Sequence, residues 1–154
     1  MDLNQKISVK VTQIEPVRGA ALRMEGEPTP EKAGLLWGRL LQRCTDTPSA
    51  GPAFGLRRED AYEACWAVPP GVPLPDGLAE TEAPGGWYAV AVQAGAYDQL
   101  GGTVKRILEE WLPHGGFRRT EGPIVERYLN DPRETPEGDL RTEVCIPVQP
   151  DPIE

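Results

Sequence analysis

The 154-residue sequence predicts an α+β fold, in which duplicated βαββ units form one antiparallel sheet with two helices on one face and a ligand cleft on the other. Three observations lead there. Apolar residues switch between the two-residue period of half-buried strands and the 3.6-residue period of amphipathic helices. The order strand–helix–strand–strand occurs twice along the chain. Short residue strings also recur at a nearly constant spacing between the two halves.

Taken in order, Ile7, Val9 and Val11 alternate with Lys6, Ser8 and Lys10, the pattern of a first strand. After the break at Pro16, "RGAALRMEG" reads as a second extended segment. In "TPEKAGLLWGRLLQRC" the period changes: Ala33, Leu36, Trp37, Leu40, Leu41 and Cys44 line one helical face. Thr29 is the expected N-cap and Pro30 the first helical residue. Two strands, "AFGLRRED" and "YEACWAV", complete the first unit, and residues 69–86 read as the longest loop. The second unit opens with the strand "GWYAVAVQAG". A helix follows with Val104, Ile107, Leu108 and Trp111 on one face, Asp98 as expected N-cap and "PHGG" as its stop. "GPIVERYLND" and "RTEVCIPV" are the closing strands, separated by "PRETPEGDL".

Gly26 matches Gly95 and Gly34 matches Gly102, at offsets of 69 and 68. Gly51, Pro52 and Asp60 match Gly122, Pro123 and Asp131 at 71, and Glu63, Cys65, Val68 and Pro70 match Glu143, Cys145, Val148 and Pro150 at 80. The final step of nine residues is the "PRETPEGDL" loop of the second half. The whole chain, 1–154, is therefore expected to form one domain with pseudo-repeats at about 6–70 and 86–150.

Composition narrows the chemistry. A net charge of −8 opposes a phosphate-binding face, so no direct nucleic-acid contact is expected. Three widely spaced cysteines without a CxxC suit reduced thiols. The N-terminus has no apolar signal core and no run reaches membrane-spanning length, so a cytoplasmic location away from membranes is expected. The single His114 sits in a helix stop, a poor place for a triad base. Neither metal-ligand spacing nor a phosphate-loop motif occurs, so no metal or cofactor is expected.

The strings "AYDQLG", "EWLPHGGF", "ERYLNDP", "TPEGDLRTE" and the closing "IPV" resemble the second half of GyrI-like small-molecule-binding domains. These are the effector-binding domains of AraC-type and MerR-type multidrug regulators, and they also occur as stand-alone proteins. The first half fits more loosely, through "RGAALRMEG", "YEACWAV" and "VPLPDGL". The resemblance implies two βαββ units around a cleft that binds cationic, aromatic or amphiphilic compounds, with an acidic residue on a late strand among aromatics. Glu143 holds the matching position. Two departures stand out: "GEPTPEKAG" replaces a glycine–proline–aromatic turn, and the first half lacks a counterpart of the acidic loop, which reshapes one wall of the cleft. No helix-turn-helix or coiled-coil segment is visible, so a regulatory role needs another chain to reach DNA.

Strand parity selects the candidate site residues. Val144, Ile146 and Val148 share one face, leaving Glu143 and Cys145 for the cleft. A surface pairing of Glu143 with Arg127 or Arg141 is the competing reading. Ile124, Glu126 and Tyr128 share a face, and Glu126 and Tyr128 are expected to point into the cleft; the competing reading gives Val125 and Leu129 to the core and leaves Glu126 merely solvated. Glu63, the repeat equivalent of Glu143, is a further candidate, with an ordinary solvent-facing strand residue as the competing reading. Trp66 and Trp87 are candidate aromatic walls, Tyr88 and Tyr97 secondary ones of the same kind, while Trp37 and Trp111 are expected in the core.

The leading expectation is a stand-alone protein that senses or sequesters a cationic or aromatic small molecule, as monomer or homodimer. Whether it is also an enzyme is left open. One alternative is hydrolysis of cyclopropane-bearing electrophiles, with catalytic candidates Glu143, Glu126 and Tyr128 as acid–base groups. The other is inhibition of a DNA gyrase by protein contact, and a regulator chain is a second candidate protein partner.

Overall fold

A computed structural model describes residues 7–151. It contains β1 (Lys10–Ile14), β2 (Val17–Glu25), α1 (Pro30–Arg43), β3 (Phe54–Arg57), β4 (Ala61–Ala67), β5 (Ala79–Ala83), β6 (Gly86–Ala94), α2 (Leu100–Arg106), β7 (Phe117–Arg119), β8 (Ile124–Tyr128) and β9 (Arg141–Pro150). All pairings are antiparallel, in the order β1-β6-β9-β8-β3-β4-β2-β5, with β7 added beside β9. Among the described residues, no helix is long and apolar enough to cross a membrane.

Helix α1 begins as its sequence dictates: the Thr29 hydroxyl accepts from the Lys32 amide at 3.2 Å, and Pro30 takes the first position. Its apolar face sets Leu36, Trp37, Leu40 and Cys44 against Tyr62 and Ala64 of β4. Helix α2 differs from expectation at its start. A 3-10 turn, Tyr97–Gln99, precedes it without a side-chain cap, and Asp98 lies inside that turn. The helix then widens into a π-helical turn, Ile107–Trp111, and ends in a 3-10 turn, Leu112–His114, where Pro113 withholds an amide donor. Its apolar side covers Ala89, Ala91, Ile124, Val144, Ile146 and Val148. Both helices thus lie on one face of the sheet.

The two units match bond for bond at their turning points. Gly26 and Gly95 both take positive φ after the strand leading to the helix, and their amides bond to Asp60 O at 2.8 Å and Leu140 O at 2.9 Å. The second unit holds two strands, β5 and β7, that the sequence did not suggest. The strand β5 lies inside the proline- and glycine-rich stretch taken for a loop, and it follows β1 by the same 69 residues that separate β6 from β2. Its "AETEA" carries no β-branched core pair, as suits a charged edge strand that resists further pairing. The first strand itself starts at Lys10; Lys6 lies outside the described residues, while Ile7 and Val9 still pack against the α2 cluster.

These leading strands are exchanged between units. β1 pairs with β6 of the second unit, and β5 pairs with β2 of the first. Because only Glu15 and Pro16 join β1 to β2, and Pro84 and Gly85 join β5 to β6, the two ends of the sheet are drawn together. The sheet therefore curls, and its helix-free face closes over Ala21, Phe54, Leu56, Cys65, Tyr88, Val90, Val125 and Cys145. At the seam the chain passes so closely that a Cβ on Gly85 would meet Pro16 Cδ at 2.7 Å and Pro16 N at 3.0 Å. Gly85→Ala is accordingly expected to lower unfolding free energy by about 1–3 kcal/mol, measured by urea denaturation, with no loss of secondary structure by circular dichroism.

Candidate functional site

The pseudo-twofold axis passes between β3 and β8, where Gly55 faces Glu126 across the antiparallel pair. On the helix-covered side, one partner contributes a carboxylate and the other contributes nothing. Gly55 is small for a reason: a Cβ there would meet Tyr62 Oη at 2.6 Å and Tyr128 Oη at 2.8 Å. The two tyrosines, from β4 and β8, meet over that gap with their hydroxyls 2.9 Å apart.

The direction of the hydrogen-bond chain follows from the groups at its ends. Trp37 Nε1–H can only donate, and does so to Tyr62 Oη at 2.9 Å. Tyr128 donates to Glu126 Oε1 at 2.8 Å, so Tyr62 must donate to Tyr128. Arg57 Nε–H closes the other carboxylate oxygen, Oε2. Glu126 is 1% exposed, and it is served by a hydroxyl on one oxygen and a guanidinium on the other. Charge-assisted bonds of this kind are the strong ones. Burial, reinforced by Glu126, pushes the Tyr62 hydroxyl far above its ordinary range. Burial, then Tyr62 and Glu126, does the same for Tyr128.

Around this buried floor stand rings that are only partly covered. Tyr128 makes edge contacts with Trp37 of α1 at 5.2 Å between centroids and with Tyr97, ahead of α2, at 5.3 Å. Tyr97 also lines a 360 Å³ cavity with Pro30, Ala96, Asp98, Pro132, Thr135, Glu137 and Leu140. That volume lies within the range of small-molecule sites, roughly 300–1,000 Å³. Its outer wall is the loop of residues 132–140, the nine-residue surplus of the second unit, which has no counterpart in the first. Asp98 and Glu137 give it an acidic rim. Nearby, Thr142 Oγ1 is fully buried without a hydrogen-bond partner; Thr142 is the β9 neighbour of Tyr128 and the repeat equivalent of Tyr62.

The opposite face is built differently. Ala21, Cys65, Phe54, Arg127, Glu143 and Val92 are successive register partners across it. Its cavity measures 110 Å³ and is lined by Ile14, Val17, Phe54, Tyr88, Val125 and Arg127 among others. That is too small for a drug-sized ligand.

The sequence-selected residues divide between these two faces. Glu143 and Cys145 do share the helix-free face, as parity required, but Glu143 is paired there with Arg127 at 3.3 Å. Cys145 is fully buried, and desolvation, with Glu143 nearby, pushes its thiol up to about 12. Glu63 is buried and bonded by Arg58 at 2.8 Å, and β3 and β8 stand between its strand and that of Glu143. Tyr88 lies on the same face with its hydroxyl donating to Pro84 O at 2.6 Å. Glu126 and Tyr128 are on the other face from Glu143, a correction to their expected direction: Glu126 registers with Val144 and Tyr128 with Thr142, both turned towards the helices. Trp66 also lies on the helix side, bonded to Pro48 O, and Trp87 is half exposed on β6, away from the tyrosine cluster.

Sequence reasoning passed over Gly55, Arg57 and Tyr62, and assigned Trp37 to core packing. One signal was available. At the offset of 71 that matches Gly51–Pro52 with Gly122–Pro123, Gly55 corresponds to Glu126, a glycine facing a glutamate at the symmetry axis.

The family model described as the GyrI-like small molecule binding domain matches residues 8–149. A probable transcriptional regulator, YgiV, from Escherichia coli (strain K12) is 34% identical over 100 residues, 63% of this chain and 61% of that protein. A DNA gyrase inhibitor from Erwinia billingiae is 34% identical over 107 residues, 66% of this chain and 63% of that protein. The matched segment thus spans less than two thirds of either relative. Among solved structures, the EcmrR C-terminal domain superposes with a TM-score of 0.76 at 16% identity, covering 94% of this chain and 99% of that one. SAV2435, solved bound to tetraphenylphosphonium, superposes with a TM-score of 0.63 at 13% identity over 93% of this chain and 94% of that one.

The tyrosine pair makes stability depend on alkaline pH. Both hydroxyls ordinarily titrate near 10.0, and the native state holds their protons above that value. Their contribution is therefore complete below about pH 10 and is lost as pH rises further, because the unfolded chain releases protons that the folded chain keeps. Phenolate absorbance is expected to show Tyr62 and Tyr128 ionising only with unfolding, and Tyr62→Phe to flatten the alkaline fall in the urea midpoint.

Proposed function

Because this chain belongs to the family of GyrI-like small-molecule-binding domains, we propose that it binds a lipophilic organic cation on the helix-covered side of the sheet. Glu126 supplies the charge complement. Trp37, Tyr62, Tyr97 and Tyr128 supply ring faces and edges, and the neighbouring 360 Å³ cavity takes the remainder of the ligand. The observation that carries this reading is a carboxylate 1% exposed beneath partly exposed aromatic rings. Each cation–ring contact is worth roughly 0.5–2 kcal/mol, rising with desolvation. The buried carboxylate adds the charge selectivity that rings alone do not give. The cation bound by SAV2435 guides the choice of probe. The protein's role on this reading is to sense or sequester such compounds.

Titration with tetraphenylphosphonium, followed by tryptophan fluorescence through Trp37 and by calorimetry, tests the reading. Glu126→Gln is expected to bind at least about tenfold more weakly, a loss near 1.4 kcal/mol. Glu143→Gln, on the far face, is expected to bind as the parent does. Equal affinity of the parent and Glu126→Gln removes the charge role.

One observation favours a second reading. Tyr128 donating to Glu126 is an acid–base pair able to protonate a leaving group and activate water, as hydrolysis of a strained cyclopropane electrophile requires. Product release beyond one equivalent, abolished by Tyr128→Phe, would establish it; protection of the electrophile at one equivalent without product would leave binding alone.

A further inference from the structure

We propose that Arg57 is the resident occupant of the aromatic–carboxylate cage and sets its selectivity, so that ligand binding is an exchange of one cation for another. This inference rests on the cation-binding reading of Glu126. The guanidinium already makes the contacts such a cage offers a ligand. Its Nε–H meets Glu126 Oε2, and its Cζ stands 5.7 Å from the centroid of the Tyr62 ring.

Which member of the pair leaves is decided by exposure and by place in the fold. The Glu126 side chain is 1% exposed in the middle of the sheet, whereas that of Arg57 is 26% exposed. Arg57 is the last residue of β3, beside the turn to β4. Its neighbour Arg58 is committed to Glu63 at 2.8 Å and does not compete for Glu126.

Charge accounting then sorts the ligands. With Arg57 in place the site is neutral, since both tyrosines keep their protons. Adding an external cation without displacing Arg57 would place two positive charges on one carboxylate in a poorly solvated pocket, which Coulomb repulsion opposes. Displacing Arg57 into water restores neutrality with the new cation. An anion gains nothing from either state: it meets a neutral site with Arg57 in, and a bare carboxylate with Arg57 out. An internal competitor weakens apparent affinity in proportion to the fraction of molecules whose site is open.

The isosteric ions tetraphenylphosphonium and tetraphenylborate are the probes. Arg57→Met is expected to bind the phosphonium about tenfold or more tightly than the parent, with no gain for the borate. Arg57→Met/Glu126→Gln is expected to lose that gain. In the parent protein, nitrogen-15 spectra are expected to show the Arg57 Nε–H signal protected from exchange, and to show that protection lost on saturation with the phosphonium. This measurement needs no variant and stands even where Arg57→Met does not fold. If folded Arg57→Met binds the phosphonium no more tightly than the parent, or the Nε–H stays protected at saturation, the exchange is overturned while a Glu126-dependent parent affinity keeps the binding reading intact. Failure of both parent and variants to bind the phosphonium overturns the two together.

Discussion

A carboxylate with 1% exposure in the middle of a sheet must be met on both oxygens, and the site follows from how this chain meets Glu126. Leaving such a charge unpaired costs roughly 3–5 kcal/mol, less where the partner is partly solvated, as Arg57 is. One oxygen takes the guanidinium. The other takes a hydroxyl whose own oxygen is held by a second hydroxyl, itself held by an indole. The tryptophan must then lie on α1, the tyrosines on β4 and β8, and the residue beneath their hydroxyls must be glycine. A single buried charge thereby dictates the identity of residues on four elements.

The duplication that gives the fold its symmetry is broken at this place. Corresponding positions at the axis carry Gly55 in one unit and Glu126 in the other; corresponding positions one strand further out carry Tyr62 and Thr142. The surplus loop of residues 132–140 walls a cavity at one end and has no counterpart in the first unit. A symmetric groove would offer a ligand two equivalent orientations. These substitutions remove that degeneracy, with charge at the centre and volume to one side.

Much of this was legible in the residues. The α1 cap and apolar face, the alternation of β9, the paired glycines before each helix and the family resemblance all follow from local chemistry, and the structure places them accordingly. What was not legible depended on neighbours distant in sequence. The face of β8 came out reversed, because Ile124 and Val125 are both apolar and either could serve as the core residue; the pairing of Glu126 with Val144 decides it. The strand β5 was hidden because "AETEA" is held in the sheet by β2 and not by its own propensity. Glu143 drew attention because it stands directly before an apolar run and matches the late-strand acidic position of the family; its pairing with Arg127 one strand away is visible only in the fold. Arg57 carried no local signal at all, since its importance lies in reaching a residue 69 positions away.

The exchanged leading strands have a consequence for ancestry. A chain holding only one unit would present β2 without its edge partner and would possess a loose β1 fitting a second copy of itself. Two such chains could satisfy one another by reciprocal strand exchange, closing the same curled sheet as a homodimer. Fusing the two genes would then need only the connection of residues 68–78 that now joins β4 to β5, and would free each half to diverge. The seam at which the sheet ends meet is, on this view, the former subunit boundary, and the off-centre carboxylate is a feature that only the fused chain could acquire.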